Sequence, residues 1–248
     1  MAAQPEPEIT LYDLACTQNT CFSPTVWRIR LMLNYKEIPY KTVFLEFPDI
    51  EPTLKELGLV PSETSTGVRN KYTVPAIHHV PTNTYIMDSL PIAQFLESTY
   101  PERPIPLTSE HGRQIESEAR LVVGKVFQTT ITPREIHILS PRSQEYFRRT
   151  REATIGRRLE DLLLEPEKED QLWKGMDDKM RAVSELIMEN KDKGPFVLGD
   201  QISYTDFFIA GSLQSIRVVD ESLFQRIFAY EGFKAVYEAC LAHMEKKD

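Results

Sequence analysis

Ser23 stands immediately before Pro24, and that pair reads as a helix start. Proline at the first helical position gives up no amide the helix needs, and serine is a preferred N-cap. A hydroxyl held at the positive end of a helix can donate to an anion, acting as neither a base nor a covalent nucleophile. Cys21, two residues earlier, is a rival, because a cysteine near a helix N-terminus can be reactive and would direct the chemistry to thiol exchange. Tyr12 is a weaker rival whose place inside a strand suits the core. Roughly fifty residues downstream come two more pairs: Val74-Pro75, then Asp88-Ser89 fourteen residues after it. The first opens a strand and the second a helix, where an acid and a serine are also an ordinary capping arrangement.

Other chemistry-bearing residues form weaker patterns. Arg69 and Lys71 are basic side chains just ahead of the strand at Val74. Arg148, Arg149, Arg151, Arg157 and Arg158 alternate with Glu145, Glu152, Glu160 and Asp161, which predicts a solvated, salt-bridged helix face. The histidines His78, His79, His111, His137 and His243 show no paired metal-ligand spacing, and no glycine-rich phosphate loop is present. Neither metal nor nucleotide chemistry is expected.

The elements that must position these residues follow from periodicity. Residues 9–14 read as a short buried strand, and the helix from Pro24 has an apolar face of Val26, Ile29, Met32 and Leu33. Residues 40–47 alternate as a strand and 50–57 suit a short helix, which makes a β-α-β unit. Residues 74–79 and 85–87 form a hairpin, after which Ser89 caps a helix carrying Ile92, Phe95, Leu96 and Tyr100 at helical spacing. Pro101, Pro104 and Pro106 cannot lie in a helix interior and mark a connector. Beyond them, helical patterns run over 112–135, 141–164, 168–191, 203–216 and 232–246, with a buried stripe of Phe233, Val236, Tyr237, Cys240 and Met244 in the last. Ser203 and Asp206, flanked by Ile202 and Phe207, have the spacing of a capping box with a hydrophobic staple. The expected organisation is a flexible tail at 1–8, an α/β domain at 9–100, a proline-rich linker at 101–111 and an all-helical domain at 112–248.

Composition narrows the class. The chain has 248 residues with 41% hydrophobic and 27% charged side chains, ordinary for a globular protein with a sizeable core. A formal charge of -8, from 29 Lys and Arg against 37 Asp and Glu, argues against a nucleic-acid or anionic-membrane surface. No apolar run is long enough for a membrane span, and the N-terminal stretch lacks the features of a secretory signal. Three cysteines, Cys16, Cys21 and Cys240, favour a reducing, cytoplasmic setting over a disulfide framework.

In their order, these motifs resemble the N-terminal, thioredoxin-like half of the glutathione transferase superfamily. The resemblance implies an α/β thioredoxin-like N-terminal domain followed by an all-α helical-bundle C-terminal domain. The string FSPTVWRIRLMLNYKEIPY is similar to the etherase-related branch, which includes fungal transferases and bacterial lignin β-etherases. Trp27 and Arg28 carry that match, together with the serine before proline. Some branches of the superfamily place cysteine at this position, but here it is Ser23.

By resemblance, glutathione is the cosubstrate, Ser23 holds its thiolate, and the Val74-Pro75 bond is cis, turning the Val74 backbone toward the cysteinyl moiety. Asp88 would meet the γ-glutamyl ammonium, and Ser89 with the helix-terminal amides the γ-glutamyl carboxylate. Many relatives carry Glu or Gln where this chain has Asp88, one methylene shorter. Arg69 and Lys71 are candidates for the glycyl carboxylate, in a loop longer than in many relatives. The second partner would be a small hydrophobic, aromatic electrophile, and the assembly a homodimer. Lowering a thiol pKa from about 8.5 by about two units takes roughly 2.7 kcal/mol. A donated hydrogen bond to the anion offers about 1.5 to 3 kcal/mol and the helix terminus about 0.3 to 1. Reductive ether cleavage is a narrower variant. A ligand-binding protein with little turnover and a Cys21-dependent thiol transferase are the other readings.

Overall fold

The protein is described by a computed structural model covering residues 6–61 and 72–245. Arg69 and Lys71 lie outside the described residues. Strand β1 (Ile9–Leu14) is buried along its whole length, as a strand covered on both faces must be. It lies inside a four-stranded sheet ordered β2-β1-β3-β4. Helix α1 (Pro24–Tyr35) connects it to β2 (Tyr40–Leu45), which pairs in parallel with Ile9 opposite Tyr40, so the expected β-α-β unit forms. After α2 (Ile50–Glu56), β3 (Ala76–His79) runs antiparallel to β1 and β4 (Thr84–Met87) closes the hairpin with His79 opposite Thr84.

Several boundaries differ from the sequence reading. The strand expected over 40–47 ends at Leu45, because Pro48 sits in a 3-10 turn over Phe47–Asp49 and has no amide with which to continue a ladder. The hairpin ladder starts at Ala76, after the cis Val74-Pro75 bond. Ser89, expected as a cap, is instead the first residue of α3 (Ser89–Thr99), and Asp88 takes the N-cap position.

The chain beyond α3 is helical: α4 (Glu110–Val126), α5 (Thr132–Glu135), α6 (Pro141–Ile155), α7 (Pro166–Ile187), α8 (Tyr204–Val219), α9 (Glu221–Phe228) and α10 (Glu231–Cys240). The helix expected over 112–135 is interrupted by a π turn at Phe127–Ile131. The one expected over 141–164 stops at Gly156, which takes the left-handed conformation at φ 77 that glycine adopts without a Cβ clash. The pattern read over 232–246 ends its α-helix at Cys240. The reading overlooked α9, although Asp220 caps it through the amides of Ser222 and Leu223 and its apolar residues Leu223, Phe224 and Ile227 are all buried. No helix among the described residues is long and apolar enough to cross a membrane.

Helix α1 carries the sheet unit against the helical unit. Its residues Val26 to Leu33 are all buried, including Arg30, whose guanidinium meets Asp13 on β1 at 2.8 Å with both side chains fully inaccessible. Burial pushes the Asp13 carboxyl up to about 6 even beside that cation. On the other side α8 approaches closely at Gly211, where an added Cβ would lie 3.0 Å from Trp27 Cβ and 3.2 Å from the Pro24 carbonyl. Replacing Gly211 with valine should therefore lower stability by about 1–3 kcal/mol through overpacking. Thermal melting tests this, and an unchanged Tm would show that the two helices can separate freely.

Polar contacts close the two units over the start of α1. The Glu46 carboxylate accepts from Ser140 Oγ at 2.5 Å and from Ser143 Oγ. Arg142 grips both carboxylate oxygens of Asp49 at 2.6 Å. The Thr17 amide donates to the Ile138 carbonyl at 2.8 Å. These bonds bring α6 and the turn after α5 up to the loops that follow β1 and β2.

Candidate active site

The loop after β1 is fixed before it reaches Ser23. The Trp27 indole N–H donates to the Cys21 carbonyl at 3.0 Å, so a side chain of α1 holds the segment leading into the helix. Ser23 then takes the N-cap position in extended geometry, and its Oγ accepts from the Val26 amide at 3.5 Å. The bond is long, so capping makes little demand on this oxygen. Thr25 Oγ1 lies 3.3 Å from Ser23 Oγ. With Thr25 donating, the Ser23 proton is left to point elsewhere.

Ser23 lines a cavity of about 320 Å³ between the two units. Its sheet-side wall includes Phe22, Thr25, Phe47, Thr73 and Val74, and its helical wall Phe127, Glu135, Tyr146, Thr150 and Arg151. Ser23 and Val74 therefore meet across one space despite their separation in sequence. Asp88 joins through Thr73, whose hydroxyl donates to Asp88 Oδ1 at 3.3 Å. Asp88 has φ 75, an uncommon conformation for a residue with a Cβ, and its side chain does not cap α3. Such positions cost on the order of 1–3 kcal/mol and cluster at ligand sites.

Ser89 faces a different space. It lines a neighbouring apolar pocket of about 240 Å³, bounded mainly by α4 and α8 with Val123, Phe208 and Leu213 prominent. The Tyr204 hydroxyl donates to the Ser89 carbonyl at 2.9 Å. Pro24, Thr25 and Phe127 belong to both spaces, so the pockets adjoin at the start of α1. Phe127 opens the π turn, a local widening of the helix that recurs at functional sites. Arg28 also lines the apolar pocket, and its guanidinium lies 3.9 Å over the Tyr204 ring and pairs with Glu116.

The rivals to Ser23 are placed elsewhere. Cys21 is fully buried and lines neither pocket, and Tyr12 is 8% exposed within the core. Arg148 forms the expected surface ion pairs with Glu152 and Glu160. Arg151 is exposed, as the solvated face predicts, and also lines the cleft. Glu135 is another titratable group of the cleft that the sequence did not single out. Burial pushes its carboxyl up to about 7 against the opposing pull of Arg151. Nothing in the local pattern of either residue signals the cleft, because the neighbouring wall belongs to a distant stretch of chain.

Comparison with known proteins bears on this arrangement. Residues 22–99 match the glutathione S-transferase N-terminal domain and residues 116–232 the glutathione S-transferase C-terminal domain. The glutathione S-transferase-like protein ustS of Aspergillus flavus is 31% identical over 99% of this chain and 94% of its own length. The chain belongs to the glutathione S-transferase family. Among solved structures similar to this glutathione S-transferase family member is CsGST63524 of Ceriporiopsis subvermispora, a glutathione S-transferase in complex with glutathione. The two share 29% identity and a TM-score of 0.84, over 97% of this chain and 99% of that one. Glutathione transferase GSTFuA3 of Phanerochaete chrysosporium gives a TM-score of 0.83 at 29% identity, over 99% and 100% of the two chains. The thioredoxin-like sheet followed by a helical unit is thus the fold of this family.

Proposed function

We propose that this glutathione S-transferase family member binds glutathione in the cleft between its two units, holds the sulfur as a thiolate through Ser23, and adds it to a small hydrophobic, aromatic electrophile. The observation that carries the reading is the position of Ser23 Oγ, at the N-terminus of α1 and on the wall of a cavity shared with Val74. Family membership and the glutathione held by the similar Ceriporiopsis subvermispora structure support the choice of tripeptide.

In this reading the Val74 backbone pairs with the cysteinyl unit much as an added strand would. Asp88 takes the γ-glutamyl ammonium, while the γ-glutamyl carboxylate reaches past the cleft to the first amides of α3, where Ser89 borders the neighbouring pocket. The thiolate then sits near the junction of the cleft and the apolar pocket. Thr25 donates to Ser23, and Ser23 donates to sulfur. The electrophile occupies the apolar space beside Phe127 with its reacting end toward the cleft, and glutathione-dependent cleavage of an aryl ether is the narrower form of the same chemistry.

The test is a panel of electrophiles, comprising an aryl halide, an aromatic enone and a β-aryl ether, incubated with glutathione and the purified protein. Glutathione adducts or cleaved ether above the uncatalysed background are expected. Tight binding of an aromatic ligand without turnover of any panel member would favour a ligand-binding role. Reversible attachment of glutathione to Cys21, seen as a mass increase on that residue, would favour thiol exchange. The complete burial of Cys21 opposes that last outcome, because thiol exchange needs an accessible thiolate.

A further inference from the structure

Glu135, from the helical unit, lines the same cavity as Ser23. Among the described residues it accepts no hydrogen bond and forms no ion pair within contact distance. Its sequence neighbour Arg134 is fully engaged, pairing with Glu169 at 2.8 Å and Asp220 at 3.0 Å. The charged or titratable groups that share the cavity with Glu135 are Arg151 from α6, Tyr146 from α6, Glu51 from α2 and Tyr72 ahead of β3. Aromatic rings frame the space, with Phe47 and Tyr146 stacked at 14° and 6.4 Å between centroids.

Thiolate formation at Ser23 leaves such a carboxyl without a task, whereas addition to a conjugated carbonyl creates one. We infer that Glu135 is the proton donor to the adduct formed when the electrophile is a conjugated carbonyl compound. The inference rests on the thiolate being formed beside Ser23. In the step, a sulfur lone pair forms the C–S bond at the β-carbon, and the C=C π pair moves to give an enolate. The Glu135 O–H bond then breaks and its proton passes to the enolate. The carboxylate regains a proton when the next bound glutathione thiol ionises, so one thiol and one enone give one saturated adduct. A carboxyl pushed up to about 7 holds its proton in a useful fraction of molecules at neutral pH and releases it readily.

The experiment compares benzylideneacetone, which needs a proton after addition, with chlorodinitrobenzene, which expels chloride and does not. Initial rates are measured with saturating glutathione on the full chain and its variants. Glu135→Gln should lose at least about tenfold more rate on the enone than on the haloarene. In the unaltered protein the enone kcat should fall as pH rises through about 7, and that descending limb should vanish in Glu135→Gln. Because Arg151 draws the Glu135 pKa down, Arg151→Gln should move the limb to higher pH. Equal losses on the two substrates, or a limb that persists in Glu135→Gln, would overturn the assignment. Should Glu135→Gln fail to fold, a limb unmoved by Arg151→Gln would do the same. Failure of the Ser23 reading registers separately, as thiolate absorbance unaltered by Ser23→Ala.

Discussion

Ser23→Ala is expected to raise the pKa of bound glutathione by roughly one to two units and to cut kcat/KM at neutral pH by about 10- to 150-fold. Both figures follow from losing one hydrogen bond donated to an anion, about 1.5 to 3 kcal/mol. The helix terminus remains in the variant and keeps its own smaller contribution, so ionisation is weakened and not abolished. Ultraviolet absorbance of the thiolate, followed against pH in the complex, reads the first quantity, and steady-state rates read the second. Ser23→Thr, which keeps a hydroxyl on the same carbon, should recover much of both. The capping bond to Val26 is already long at 3.5 Å, so a loss of rate cannot be traced to an unravelled helix start. Rates and ionisation equal to those of the unaltered protein would remove Ser23 from the mechanism.

Asp206→Ala is expected to act on stability and to leave the chemistry of the folded fraction intact. The side chain is fully buried. One carboxylate oxygen accepts from the Ser203 amide at 2.8 Å and the Ser203 hydroxyl at 2.5 Å, and the other accepts from the Val197 amide at 2.8 Å. The capping box expected from the sequence therefore forms, and it also ties down the loop ahead of α8. Alanine would strand buried donors at about 1–3 kcal/mol each, giving a total on the order of 3–5 kcal/mol. For a chain of this size that corresponds to a fall in Tm of roughly 6 to 20 °C. Rates measured well below the transition should stay within about threefold, because α8 supports α1 from behind and Asp206 lines neither pocket. Lost turnover with unchanged melting would contradict this structural role.

The features legible in the sequence share a short physical range. Ser23 with Pro24, the hairpin strands, and Ser203 with Asp206 are each governed by bonds within a few residues, and all three arrangements appear in the fold. Where a local rule was applied one residue out of place, as with Ser89 as a cap, the decisive fact was the backbone angle of Asp88. The π turn at Phe127–Ile131 holds no proline or glycine itself, but Pro133 follows two residues later and denies the helical ladder an amide. The place of the exposed Arg151 beside the cleft was hidden for another reason, since charge alternation describes a helix face but cannot say what lies across from it.

By itself, the order of residues determined the sheet-then-helix architecture and put a hydroxyl at a helix start, because periodicity and capping are local energies that each segment settles alone. Tertiary structure decided that Cys21 is sealed in the core, that an apolar pocket adjoins the cleft, and that Glu135 and Arg151 line the same cavity as Ser23. Those outcomes require segments far apart in the chain to meet, and only the joint burial of α1 between the sheet and α8 brings them together.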